Sequence, residues 1–272
     1  MSINMNDVSS NSATTNVFGE QWIAFVTIIR KEVRRFLRIW TQTLLPSAIT
    51  IALYYVIFGA LIGSRIGKIS GFSYMQFVVP GLVMMSVITN AYTNVVSSFF
   101  MAKFQRFIEE ILVSPVSNHV LLLGFVLAGI IRGLMVGIIV TVISLFFTHL
   151  HIHNIFVTVG ILLLTAMLFA LAGFINAVYA NNFDDISIVP TFVLTPLIYL
   201  GGVFYSVDML PGFWAAVSQI NPMLYIVNAF RYGMLGISDV NIWIAFIMVG
   251  GCTVTAYAYA IYLLNSGKRL RQ

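Results

Sequence analysis

Charge is what this chain has least of. Only 8% of its 272 residues are Asp, Glu, Lys or Arg, against roughly 25% in a soluble domain. Hydrophobic residues make up 60%, above the roughly 45–50% usual for soluble folds, so bulk water is not the main solvent. A single cysteine, Cys252, lies in an apolar run. It excludes an intrachain disulfide and any cysteine-built metal site. The first nineteen residues, Met1 to Gly19, lack an apolar core, so no secretory signal is read there. Their Ser, Asn and Thr content predicts a disordered cytoplasmic tail.

Catalytic groups are equally scarce. No Ser/His/Asp or paired-carboxylate constellation shares a common depth, so no catalytic residue is assigned and an enzyme ranks last. The segment "GSRIGKI", Gly63 to Ile69, is one residue short of a phosphate loop and ends on Ile69 where Ser or Thr should hold Mg²⁺. It is read as a plain loop. His149, His151 and His153 stand in "HLHIH", a spacing able to chelate, but three histidines on a short loop are read as incidental and no metal is assigned. The net charge of +5 would suggest nucleic acid in a soluble protein. Its placement points to a membrane surface instead, and nucleic acid is not expected as a partner.

What is present is long apolar runs. They are continuous rather than alternating, which predicts transmembrane helices and not a barrel. Six spans are expected, at about 43–62, 75–100, 120–147, 156–179, 186–205 and 242–264. Before them, residues 20–40 place Trp22, Phe25, Val26, Ile29, Val33, Phe36, Leu37 and Trp40 on one face, and Arg30, Lys31, Arg34, Arg35 and Arg38 on another. Such a basic amphipathic helix lies in the membrane interface, with its arginines toward anionic lipid headgroups. Ser206 to Gly236 is broken by Asp208, Pro211, Gly212, Asn221, Pro222 and Arg231. Its halves have the length of re-entrant or interfacial helices, the second opened by an Asn221 cap and an N1 proline, Pro222.

Basic residues set the orientation. Six spans put both termini on one side, with Arg30, Lys31, Arg34, Arg35, Arg38, Lys103, Arg106, Lys268, Arg269 and Arg271. The other side has Arg65, Lys68 and Arg231. The positive-inside rule makes the first side cytoplasmic.

On that side "KFQRFIEEILVSPVSNH", Lys103 to His119, carries four charges in eight residues. Phe104, Phe107, Ile108, Ile111 and Leu112 repeat at helical spacing. Arg106 stands three and four residues before Glu109 and Glu110, and Ser114-Pro115 stops the helix. Pattern alone leaves a solvated connector and a docking element equally open. In the second span Ser86, Thr89, Asn90, Thr93, Asn94 and Ser97 share a face, which must meet a neighbouring helix or a translocation path. Arg132 stands midway along the third span, as an anchor or as a cargo contact. Gly129, Gly133 and Gly137 form a small-residue ridge for close helix approach. Tyr225, Asn228 and Arg231 share a face that lines an exit or caps the bundle.

Two stretches carry a resemblance. "RFIEEILVSPVSNHVLLLGFVLAGIIRGLMVGIIV", Arg106 to Val140, resembles the signature region of ABC-2 type transporter permeases. "PTFVLTPLIYLGGVFYSVDMLPGFWAAVSQINPMLYIVNAFRYGMLG", Pro190 to Gly236, is similar to that family's second hallmark. The likeness runs from about Glu20 to the C-terminus. It implies an all-α membrane protein with an interfacial connector helix at 20–40, a coupling helix at Lys103–Val116 and outer re-entrant helices at 206–236. It further implies a half-permease that works as a homodimer with two copies of a separate ATP-binding subunit, which uses ATP and Mg²⁺. Export of a hydrophobic or amphiphilic compound (drug, lipid or lipid-linked glycan) is the family expectation. Lys103, Arg106, Glu109 and Glu110 would then form the ATPase-coupling surface, with Asp184 and Asp185 a second contact or a solvated loop end. Asn90, Thr93, Asn94 and Arg132 would border the path. The rival readings are an ATP-independent secondary transporter, which often uses broken helices and intramembrane charges, and a non-transporting scaffold.

Overall fold

The computed structural model describes residues 17–150 and 152–267. His151, Lys268, Arg269, Arg271 and most of the expected tail lie outside them. Helix α1, Val17–Arg38, precedes α2, Trp40–Gly59, and a π-helical turn at Val56–Ile62. A two-residue hairpin, β1 Lys68–Ile69 with β2 Phe72–Ser73, leads into α3, Tyr74–Phe104. Then come α4 Phe107–Val113, α5 Asn118–Ser144, α6 Ile155–Tyr179, α7 Asp185–Tyr199, α8 Gly212–Ile220, α9 Pro222–Leu235 and α10 Ile242–Ser266.

Polar side chains start these helices where the chain offers them. Ser73 and Gln76 form a reciprocal capping box on α3. Asn154, Asn221 and Asn241 accept from the first backbone N–H groups of α6, α9 and α10. Gly236 and Gly267 end α9 and α10 in the left-handed conformation (φ 78° and 62°), which costs glycine little.

Helix α3 is the axle of the molecule. Over its apolar window 83% of residues are buried, against 17% for α2 and 22% for α10. Its 31 residues make a rod about 46 Å long. The glycine ridge on α5 lies against it: a Cβ on Gly129 would stand 2.5 Å from Val95 Cγ2, and one on Gly133 3.1 Å from the Val87 carbonyl. Close approach is therefore what those small residues supply. On the α6 side, a Cβ at Gly173 would stand 2.5 Å from the Tyr92 carbonyl oxygen.

Among the described residues five helices are long and apolar enough to cross a membrane: α2, α3, α5, α6 and α10. The expected fifth span, 186–205, is helical only as far as Tyr199. Fifteen residues of helix rise about 22 Å, short of the roughly 30 Å hydrocarbon layer. The reason is local. Pro190 and Pro196 remove two backbone donors, and the helix widens to a π turn at Val189–Leu194, where Thr195 bonds back to the Pro190 carbonyl. Gly202 (φ 73°) then turns the chain.

The contacts define two ends. At one, Gln21 meets the loop after α4, Lys103 meets the end of α6, and Asn118 meets Asn265 of α10. At the other, Gln76 bonds the His149 carbonyl, Tyr74 the Phe204 carbonyl, and Met234 accepts from the His153 N–H. Both chain extremities of the described residues thus lie at the α4 end.

Candidate functional site

The charged segment at the α4 end is not one continuous helix. Helix α3 runs on through Lys103 and stops at Phe104. Arg106 then takes a left-handed conformation (φ 61°), and α4 begins at Phe107. Arg106 therefore stands outside α4. The expected pairing of Arg106 with Glu109 and Glu110 does not form: Glu32–Arg35 is the single ion pair among the described residues. Ile108 is fully buried beneath α4, whereas Phe104, Phe107, Val113, Arg106 and Glu110 are exposed and Glu109 is half-buried. The result is a short ledge of mixed apolar and charged character.

Lys103 corrects the expectation of a surface contact. It is 3% exposed, and its Nζ donates to the carbonyls of Val178 and Ala180, both at 2.8 Å. A cation there neutralises the C-terminal carbonyls of α6. Its place is in the interior and not on the exposed ledge.

Asp184 and Asp185 separate in role. Asp185 Oδ2 accepts from the backbone of Asn181 (2.8 Å) and Asn182, while its own N–H donates to Asn182 Oδ1. This closes the loop before α7. Asp184 is exposed. Beside them stands Phe183, which packs on the end of α3, 5.0 Å from the Phe100 ring and 5.1 Å from that of Phe104. Those contacts join both expected docking segments into one patch. Phe183 had no distinguishing mark in the sequence beyond its place in a charged loop.

Helix α1 grips this ledge. Gln21 donates to the Pro115 carbonyl (2.6 Å) and accepts from the Ser117 N–H (2.9 Å). Lys31 stands 5.9 Å over the Phe107 ring. Further along, Glu32 is 3% exposed, paired with Arg35 at 3.1 Å and accepting from Ser98. Arg35 reaches Asn94 Oδ1 at 3.2 Å. Sequence reasoning passed over Glu32, although it stands among Phe25, Ile29 and Phe36 in the apolar stripe of α1. A carboxylate in such a stripe requires a partner.

The polar residues of α3 divide into two ridges. Ser86, Asn90, Asn94 and Ser98 are buried, and Asn90 bonds Ser47 of α2 at 3.1 Å. Thr89, Thr93 and Ser97, with Met85, form the half-buried ridge. Their hydroxyls donate back to Met85, Thr89 and Thr93 carbonyls. A groove of about 240 Å³ between α2 and α3 is lined by Ser47, Thr50, Ile51, Met85, Thr89 and Asn90, among others. Of the expected path residues, then, Thr93 is on the half-buried ridge, Asn90 bonds Ser47 and lines the groove, and Asn94 meets Arg35 of α1. One turn beyond Thr50, Tyr54 bonds Tyr199 of α7 (3.0 Å) while Phe58 stacks on Phe204.

Arg132 is 7% exposed and bonds the Thr43 carbonyl at 3.2 Å. Arg231 is 1% exposed. Its guanidinium lies 3.8 Å over Phe77 and donates to the carbonyl of Gly202 (2.6 Å) and to Asn228 Oδ1 (3.3 Å). Asn228 also accepts from the Asp239 N–H, and Asp239 accepts from Ser206 and Val207. Tyr225 donates to the Gln219 carbonyl across the α8–α9 joint. Asn228 and Arg231 thus tie the 202–207 and 237–241 loops to α9, whereas Tyr225 joins α9 to α8. His153 packs edge-on against Tyr232. No group of three His, Cys, Asp or Glu suited to a metal occurs among the described residues.

A multi-pass helical membrane protein with an amphipathic entry helix, a short charged ledge between its second and third crossings and paired short helices at the far end is the class these features define. The family model for ABC-2 type transporters matches residues 23–235. The chain belongs to that family and is a membrane transport protein. It is 57% identical over 250 residues to the inner membrane transport permease YadH of Escherichia coli (strain K12), covering 92% of this chain and 98% of YadH. It is also 24% identical over 219 residues to nodulation protein J of Rhizobium meliloti (strain 1021), covering 80% and 82%.

Proposed function

We propose that this chain is the membrane half of an ATP-driven exporter of the bacterial inner membrane, acting as a homodimer with two copies of a separate ATP-binding subunit. The observation that carries the reading is the ledge at α4. It exposes Arg106, Glu110, Phe104, Phe107 and Val113 together, beyond the length of α3 that bilayer thickness requires. A lone solvated connector has no need of three exposed large apolar residues, whereas a protein interface is built from them. Phe183 and Asp184 extend the same surface. The chain itself contributes no nucleotide loop, so ATP and Mg²⁺ belong to the partner. The E. coli relative's name, an inner membrane transport permease, supports the location and the role.

The path lies along the half-buried ridge of Thr89, Thr93 and Ser97, whose Thr89 end lines the groove beside α2. A second copy facing this ridge would enclose it. Hydroxyls and methyls in alternation suit an amphiphilic cargo. The test is reconstitution: purified chain in liposomes, with and without the co-purifying ATP-binding protein. Export that needs both ATP and that protein is expected. Uphill flux driven by an ion gradient without nucleotide would overturn the reading in favour of a secondary transporter.

A further inference from the structure

More positive charge sits where α1, α3 and α5 meet than the described residues neutralise. Arg132 makes one hydrogen bond, to the Thr43 carbonyl, and its Nε has no partner. The charge beside it is of like sign: Thr43, whose carbonyl Arg132 bonds, donates its own hydroxyl to the carbonyl of Phe36, the residue after Arg35. Glu32 is held by Arg35 and Ser98, and no hydrogen bond or ion pair among the described residues takes its carboxylate to Arg132. Arg35 also donates to the backbone and side-chain oxygens of Asn94. Asn94 is 1% exposed, and its Nδ2 is a buried donor with no acceptor.

Each of these features has a cost, and all of them have one remedy. A buried donor without an acceptor is unfavourable, and so is an unpaired arginine at mid-span. Water could satisfy the donors but would leave the charge. An anion satisfies both, and guanidinium groups bind oxyanions with directed, charge-assisted bonds. Access exists on the α1 side, where the Arg35 side chain is 31% exposed. We infer that Arg35, Asn94 and Arg132 bind a single oxyanionic group of the phosphate or carboxylate class. The inference needs neither ATP nor a partner subunit, so it stands apart from the exporter reading.

The oxyanion has two possible sources, the headgroup of a membrane amphiphile or a free inorganic ion. The full chain, purified in a neutral maltoside detergent, is melted with dodecyl phosphate, with inorganic phosphate and with a neutral dodecyl amphiphile. A saturable rise in melting temperature of several degrees with dodecyl phosphate is expected, absent with the neutral compound. If inorganic phosphate acts as well, the site takes free anions; if it does not, the site takes headgroups. Arg132→Gln should abolish the rise. Because that variant can fail to fold, Asn94→Asp is the second arm. It keeps the acceptor for Arg35 and supplies the anion internally, so it should melt higher than the parent and gain nothing from dodecyl phosphate. No rise with either phosphate, or a full rise retained in Asn94→Asp, overturns the site and leaves water as its occupant.

Discussion

Glu32 is one acidic side chain in a helix of arginines, and its burial makes it testable. Replacing it by Gln keeps a hydrogen-bonding group for Ser98 and removes the charge facing Arg35. A hydrogen bond to a charged group is worth about 1.5–3 kcal/mol, and Arg35 is only partly shielded. Glu32→Gln should therefore lower stability by roughly 2 kcal/mol, read as a fall in melting temperature in detergent. Arg231 gives a sharper contrast. A gating arginine at an exit would tolerate alanine in folding and fail in transport. The buried Arg231 holds Gly202 and Asn228 and covers Phe77, so Arg231→Ala should reduce folded yield in the membrane. Normal yield with altered export would return it to a gate. At this scale the sequence was legible in part. Glu32 could have been found, because its register places it in an apolar stripe. The burial of Lys103 and Arg231 could not, because their partners are backbone carbonyls of Val178, Ala180 and Gly202. Every residue has such a carbonyl, and only the tertiary fold decides which are brought near.

At the scale of elements, α4 separates docking from stability. Arg106 and Glu110 are exposed and bear no ion pair among the described residues. Reversing both, Arg106→Glu with Glu110→Lys, should leave the melting temperature within about 1–2 °C, since exposed substitutions move stability little. It should reduce recovery of the ATP-binding protein in a pull-down about tenfold. Lys103→Ala should do the opposite, lowering the melting temperature through the freed α6 carbonyls. A pull-down unaffected by the double reversal would move the interface to the Phe183–Asp184 side of the patch. Helix existence was readable throughout, because continuous apolar runs and Asn or Ser caps are local signals. Helix ends were less so. Residues 200–205 are uncharged and belong to the expected fifth span, 186–205, yet Gly202 turns them out of the helix. Apolarity reports burial or lipid, and it does not report φ. Likewise the left-handed Arg106 splits what periodicity presents as one coupling helix.

The whole molecule turns on whether α7 completes a crossing. Its helix is too short to span alone, yet it starts beside the end of α6, which Lys103 ties to α3, and its tail reaches Tyr74 at the opposite end, where the Phe204 carbonyl accepts from Tyr74. About 22 Å of helix is followed by turns and bends at residues 200–205, which carry the chain on to Ser206. Non-helical backbone at that depth is tolerable only under protein cover, and Val203 and Ser206 are buried against α3 and the α9 cap. We propose that the chain traverses the bundle six times, with α2, α3, α5, α6, the α7 segment and α10. On that proposal α4 stands on one side of the membrane and the α8–α9 pair on the other, and the positive-inside rule, applied to the basic residues of α1, would make the α4 side cytoplasmic. Because Cys252 is the lone cysteine, the arrangement can be mapped directly. In a Cys252→Ser background, Glu110→Cys and Asp208→Cys each place one thiol at an exposed position of opposite ends. A membrane-impermeant maleimide should label Asp208→Cys in spheroplasts and Glu110→Cys only in inside-out vesicles. Labelling of both from the same side would mean that the α7 segment turns back within the bilayer, and the second half of the topology would have to be inverted.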